Sequence, residues 1–335
     1  MPLNILDLPS ELLDRIVELV ITHQDSPVST SDRVAWPREL ETLTSSTPDG
    51  RDNVMYCKNQ EAPYHNWKSA SPTLLLVNRQ LAELTRRRLA QFSNSSHYAL
   101  DVMLVNETEL WPTWTFLTPP CQHVNKLTVT LRITGTSPTL DGRKYRFTPF
   151  DGAPPIVWCF FYLLSRFLEC GPLAEDPEIN PPAHDRHPFT INELTLNVET
   201  PSGLIAPRSI SYENWLQGRD NKDPRTSYTW PYNTVETLMI WPEWLVKLIS
   251  DYIGYALDMQ GLFLRGFGHT LHKCIGTIRI CLDGSVVKVH AVDRRLKEYV
   301  DRQRQQLTGF AAKLVLTSID ELYEERKRAG LPVVY

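Results

Sequence analysis

Three short clusters hold the side chains best equipped for chemistry. His269, His272 and Cys274 fall within "HTLHKC" (269–274), and His290 follows downstream. Imidazole nitrogens and a thiolate are zinc ligands, but a closed site needs four donors at set spacing. This run lacks them, so it reads as polar loop residues and no metal is expected. "HDRH" (184–187) lies in a proline-rich loop with fewer donors still. "RGFGH" (265–269) offers two glycines without a strand-then-helix context or a GxGxxG pattern, which argues against a phosphate cradle. No GxSxG, HExxH or Walker lysine occurs, and no nucleophile–base pair is recognisable. The expectation is a chain without catalytic residues, metal or cofactor. A hydrolase or transferase with a scattered site is the distant rival.

Residues suited to binding are easier to find. "TRRRLAQ" (85–91) is the strongest basic run, yet on a helix its three arginines fan over a wide arc. With a net charge of −4 and a pI near 6.2, it reads as a solvated face, and no nucleic-acid partner is expected. "EERKRAG" (324–330) places cations at a helix C-terminus, where they meet the negative end of the dipole. Of nine tryptophans, Trp111 and Trp114 in "WPTW" and Trp241 and Trp244 in "WPEW" form an echo. They are the candidates for a target-recognition surface, since tryptophan is enriched in binding hot spots. The rival reading makes them core residues, with each proline marking a helix start.

The elements that position these residues begin with "LPSELLDRIVELV" (8–20). Pro9 falls at the first helical position. Glu11, Asp14, Arg15, Glu18 and Thr22 share one polar face, with Glu11 and Arg15 spaced as an ion pair. Leu12, Leu13, Ile16, Val17, Leu19, Val20 and Ile21 are apolar, a stripe wider than one core-facing face needs. A polar segment rich in Ser, Thr, Asp and Pro, about 23–70, reads as a loop or partly disordered insert. "SPTLLLVNRQLAELTRRRLAQF" (71–92) reads as a second helix.

From about residue 98 a repeat appears. "VNKLTVTL" (124–131), "INELTLNV" (191–198), "VETLMIW" (235–241) and "IGTIRICL" (275–282) each set an apolar residue before an alternating apolar run, a strand pattern. Apolar helical runs at 156–171 and 242–261 lie between strands, which points to parallel βαβ units. The spacing is uneven and longer than the roughly 20–29 residues of a leucine-rich repeat. Two architectures remain open, an irregular relative of that repeat and a small single α/β sheet. Asp283-Gly284 marks a hairpin, and 293–330 reads as helix. The fold class expected is α+β to α/β, with a helical unit at 1–92, then an irregular strand–helix domain at 98–335 holding a mostly parallel sheet and a C-terminal helix.

Apolar content of 42% and charged content of 22% are ordinary globular values. Six cysteines form no CxxC pair, so reduced thiols in the cytosol or nucleus are expected. The greasiest stretch, 154–168, carries Arg166 and is too short to span a bilayer, and no secretory signal fits. No membrane partner is expected.

"LPSELLDRIVELV" together with Leu74, Val77, Asn78, Arg79 and Leu81 resembles an F-box. More narrowly, with Pro112-Thr113-Trp114 in "PTW", the chain is similar to the F-box-like proteins of filamentous fungi. The resemblance covers residues 3 to about 92. It implies docking on the Skp-type adaptor of a cullin–RING ubiquitin ligase, while the remainder recruits a protein target for degradation. Carried over to this chain, the adaptor-facing residues would be Leu8, Pro9, Leu12, Leu13 and Ile16, with Leu75, Leu76 and Leu81 adding to that surface or supporting it. An F-box-like interaction or structural protein without a ligase link is the alternative. About fifty polar residues between the helices depart from the compact motif (loop closure over that length costs little).

Overall fold

The computed structural model describes residues 5–23, 26–27, 39–44, 53–58, 70–92, 96–105, 109–117, 121–135, 155–172, 188–204, 211–212, 240–260, 262–306 and 309–334. The opening helix, α1, spans Ser10–Ile21. Pro9 stands one place before it, its carbonyl accepting from the Leu12 and Leu13 amides at 3.0 and 3.1 Å, so its missing N–H is no loss. Arg15 pairs with Glu18 at 2.8 Å rather than with Glu11. The helix expected over 71–92 is two, α2 (Ala70–Val77) and α3 (Arg79–Phe92). Asn78 divides them because its Oδ1 accepts the Leu81 amide at 2.9 Å, an N-cap.

One helical turn apart, Leu13, Val17 and Ile21 of α1 close on Leu81 and Leu84 of α3, with Leu8, Leu74 and Leu89 at the margin. Arg88 of α3 donates to Asp14 of α1, Nε to Oδ1 at 3.0 Å, and ties the same pair of helices.

Two stretches of the polar segment read as a loop form strands. They are β1 (Glu39–Thr44) and β2 (Asn53–Lys58), an antiparallel hairpin. Val54 and Tyr56 are residue types that favour strands, a local preference hidden by the polar average of the segment. The remaining strands are β3 (His97–Val105), β4 (Glu109–Leu117), β5 (His123–Thr134), β6 (Thr190–Glu199), β7 (Ile275–Leu282) and β8 (Ser285–Ala291). All eight form one sheet in the order β1-β2-β4-β3-β5-β6-β7-β8. Its centre is parallel, β3, β5, β6 and β7 running the same way. β4 and β8 pair antiparallel on either side of that centre.

The sequence repeat appears as sheet register. Val124 sits opposite Ile191 and Ile191 opposite Ile275; Leu127, Leu194 and Ile278 align likewise, as do Val129, Leu196 and Ile280. The copy at 235–241 lies outside the described residues except for Ile240 and Trp241. Antiparallel strands close the ladder on both sides, so the arrangement is one mixed sheet and not an open-ended solenoid.

Helices α4 (Pro155–Cys170), α5 (Pro242–Leu257) and α6 (Leu262–Cys274) cover one face, where Phe161, Leu245, Ile249 and Leu271 meet Leu127, Val129, Leu194 and Ile278. The opposite face of the same strands carries Thr128, Thr130, Thr195, Asn197 and Arg279. The last helical stretch is two helices, α7 (Val292–Gln306) and α8 (Gly309–Arg328), joined through Leu296, Tyr299, Leu322 and Tyr323. Between β7 and β8, Asp283 and Gly284 adopt φ of 49° and 77°, as the expected two-residue turn requires. Among the described residues no helix is long and apolar enough to cross a membrane.

Candidate functional site

Helix α1 has more apolar surface than its own unit covers. Its inward row is Leu13, Val17 and Ile21. A second apolar row, Leu12, Ile16, Leu19 and Val20, lies beside it around the helix. Leu12 and Leu19 are 51% and 54% exposed, and Ile16 is half-buried. On α2, Leu76 is 86% exposed, Val77 is also exposed, and Leu75 is half-buried. Pro9 is exposed and Leu8 half-buried against the helical core. Leu13, expected to face an adaptor, points the other way, and Leu81 takes the supporting place that was one of its two expected roles. Leu13 is fully buried and Leu81 nearly so, because both fill the contact between α1 and α3. They support the surface without belonging to it.

The four candidate tryptophans are buried or half-buried. Trp111 and Trp244 are buried. Trp114 packs between Tyr98 and Phe167, ring centres 6.1 and 5.6 Å away, and Trp241 packs against the main core. Their two prolines also part company. Pro242 opens α5 as a first-turn residue, whereas Pro112 lies inside β4, paired with Val102. Among the described residues the β2 pairing of β4 covers Glu109 and Leu110.

Two members of the histidine–cysteine cluster, His272 and Cys274, are buried. "HTLHKC" lies on α6 instead of a loop. His272 is buried, and its Nε2 donates to the Leu257 carbonyl at 2.8 Å. Burial drives its pKa down to about 4, helped by Arg326 and His269. Burial likewise pushes the Cys274 thiol up to about 12. His290 is on β8, part of a different constellation. "HDRH" lies outside the described residues. Of the arginines at 86–88, Arg86 and Arg87 are exposed and Arg88 pairs with Asp14.

A cleft of about 660 Å³ between α5, β8 and the start of α7 had no signature in the sequence. Glu243, Lys247, Asp251, Gly254 and Asp258 recur along one face of α5 and form one wall. Lys288, His290 and Arg295 form the other. Asp258 accepts from Arg302 at 2.8 Å and lies 3.5 Å from Arg295. Burial raises the Asp251 pKa against the pull of Lys247 and Lys288. His290 is 4% exposed, and burial, then Arg295 and Lys288, bring its pKa down to about 4. These groups come from segments thirty or more residues apart in sequence, and the Asp258 ion pairs tie the two walls together.

Set against family models, curated proteins and solved structures, the chain matches none.

Proposed function

We propose that the N-terminal helices dock on the Skp-type adaptor of a cullin–RING ubiquitin ligase, as an F-box does, and that the α/β body receives a protein target. The observation that carries this reading is the uncovered apolar row Leu12, Ile16, Leu19 and Val20, with Leu76 and Val77 exposed on α2. Exposed apolar side chains in a row mark a partner site, and an apolar helix face seated in a groove is a recurrent docking mode. The Leu8-Pro9 start lies at the head of that row. In this reading the chain performs no reaction. It raises the concentration of its target near the ubiquitin-charged enzyme.

The test is binding of the purified full chain to a purified Skp-type adaptor. Fully burying a leucine side chain is worth about 1.5–3 kcal/mol. Leu12→Asp with Leu19→Asp should therefore weaken capture by about 100-fold or more, and Leu76→Asp by about tenfold. Val334→Asp, at an exposed C-terminal position, should change nothing. An adaptor that ignores the wild-type chain overturns the ligase link and leaves an interaction protein without it.

A further inference from the structure

We propose that β8 and the cleft beside it bind an extended, acidic segment of a partner protein, which adds to the sheet as a strand and sets a carboxylate against His290, Arg295 and Lys288. The proposal rests on the target-receiving half of the preceding reading and is independent of adaptor docking.

Four observations converge. First, β8 ends the strand order, so its outer amides and carbonyls have no strand partner among the described residues. An exposed edge of this kind is a template for strand addition. Second, the edge is apolar. Val286, Val287 and Val289 are all exposed, and nothing on the strand blunts it except Lys288. Third, the cleft has the dimensions of an extended peptide. Glu243 to Asp258 run about 22 Å along α5 at helical rise, which an extended chain covers in about seven residues. β8 itself has seven. Fourth, the end of the cleft near Asp258 holds unused nitrogens. His290 Nε2 and Arg295 Nε are buried and have no hydrogen-bond partner among the described residues. Arg295 Nε is a donor, and His290 Nε2 is one in the tautomer that carries its proton there; buried polar atoms left in that state cost free energy unless a ligand supplies the partner.

Gly254 fits the same picture. It lies inside a helix with no positive φ to explain it. A Cβ there would stand 3.7 Å from Arg295 Nη2 and 3.9 Å from His290 Cε1. An alanine would fit without clash, yet its methyl would occupy the space over both groups.

The sign of the ligand follows from how the charges are already matched. Asp258 is held by Arg302 and Arg295, and Arg295 also pairs with Glu298 at 3.3 Å, which leaves Lys288 as the cation the ligand must match. Asp251 faces Lys247 and Lys288, and Glu243 lies at the far end, in the first turn of α5. Lys288 has no ion pair among the described residues. A second copy of this chain is a poor occupant, since edge-to-edge pairing of β8 brings Lys288 and Arg295 of both copies together.

The experiment measures fluorescence anisotropy of a labelled eight-residue peptide of alternating valine and glutamate on the full chain without adaptor. The glutamate peptide should bind at least tenfold more tightly than its glutamine counterpart, and the lysine counterpart should not bind. Methylating alternate backbone nitrogens of the peptide should abolish binding. Lys288→Gln and Gly254→Ala should each weaken it at least fivefold, with Gly254→Ala raising the thermal midpoint because alanine favours the helix. Equal affinity for the glutamate and glutamine peptides overturns the proposal, as does unimpaired binding of the methylated peptide. Saturable uptake of inorganic phosphate with no peptide binding overturns strand addition. A concentration-dependent dimer of the peptide-free chain, broken by Val289→Lys, overturns the choice of occupant. Failure here leaves adaptor capture untouched, and failure of adaptor capture leaves this measurement untouched.

Discussion

His272 and Arg326 illustrate what single side chains do in this interior. Arg326 is fully buried and donates to the backbone carbonyls of His272, Ile275 and Pro332. It thereby holds α8 and the C-terminal residues against the junction of α6 and β7. Burial brings its pKa down to about 10, so it stays charged at neutral pH. The His272 ring is neutral, since Nε2 serves Leu257 and Nδ1 is buried without a partner among the described residues. Its folded pKa of about 4 lies below the ordinary 6.5. Above pH 6.5 neither folded nor unfolded chain protonates it, and its contribution to stability is intact. As pH falls toward 4 the unfolded chain takes a proton that the folded chain refuses. Stability then drops by about 1.4 kcal/mol per pH unit. Chemical denaturation at pH 7 and pH 5 should show this loss for the wild type, with His290 acting in the same direction. His272→Leu should have the shallower slope by that amount; equal slopes refute the assignment. Neither role was legible. A run such as "EERKRAG" looks solvated because the helix partner that buries its third residue lies fifty positions earlier.

At the scale of elements, periodicity and turn chemistry were readable and tertiary overrides were not. The alternating runs at 124, 191 and 275 gave the strands and, unexpectedly, their lateral register, because each copy meets the same helical layer. Asp283-Gly284 gave its hairpin from backbone preference alone. Helix α6 was hidden by Gly266 and Gly268, which read as loop residues. Gly268 is there for a packing reason, since a Cβ would fall 2.0 Å from the Ala256 carbonyl oxygen. Helices α5 and α6 meet at that point. Gly268→Ala gains helix propensity on α6, yet it must push the two helices apart. Overpacking of this kind costs about 1–3 kcal/mol, so the denaturant midpoint should fall. A variant as stable as the wild type would mean that α6 does not approach α5 so closely. The insert failed for the opposite reason: β2 gains its place by pairing with β4, an interaction that no composition average reports.

Across the whole molecule, buried apolar residues form separate cores. One runs from β3 through β7 under α4, α5 and α6. Another, much smaller, holds α1 to α3 through Leu13, Val17, Ile21, Leu81 and Leu84. The wide stripe on α1 was legible because seven apolar positions cannot all face one small core. Which of them face inward was not, since that depends on where α3 lies, and Leu13 was placed on the wrong side. The cleft was invisible for a related reason, its walls being neighbours only after the sheet has formed. The unequal cores predict unequal local stability, because the free energy of opening tracks the buried contacts that must break. Backbone amides of α1 and α3 should exchange with solvent faster than those of β5, β6 and β7. Leu13→Ala leaves a cavity in the small core and should cost about 2–5 kcal/mol there. That loss lowers protection in α1 and α3 by about 30-fold or more, weakens capture of the Skp-type adaptor if the proposed docking holds, and leaves the β5–β7 amides and the main thermal transition in place. If Leu13→Ala instead lowers protection evenly from α1 to β7, the helices and the sheet open as one unit, and the apolar row on α1 is part of a continuous core rather than a separate docking module.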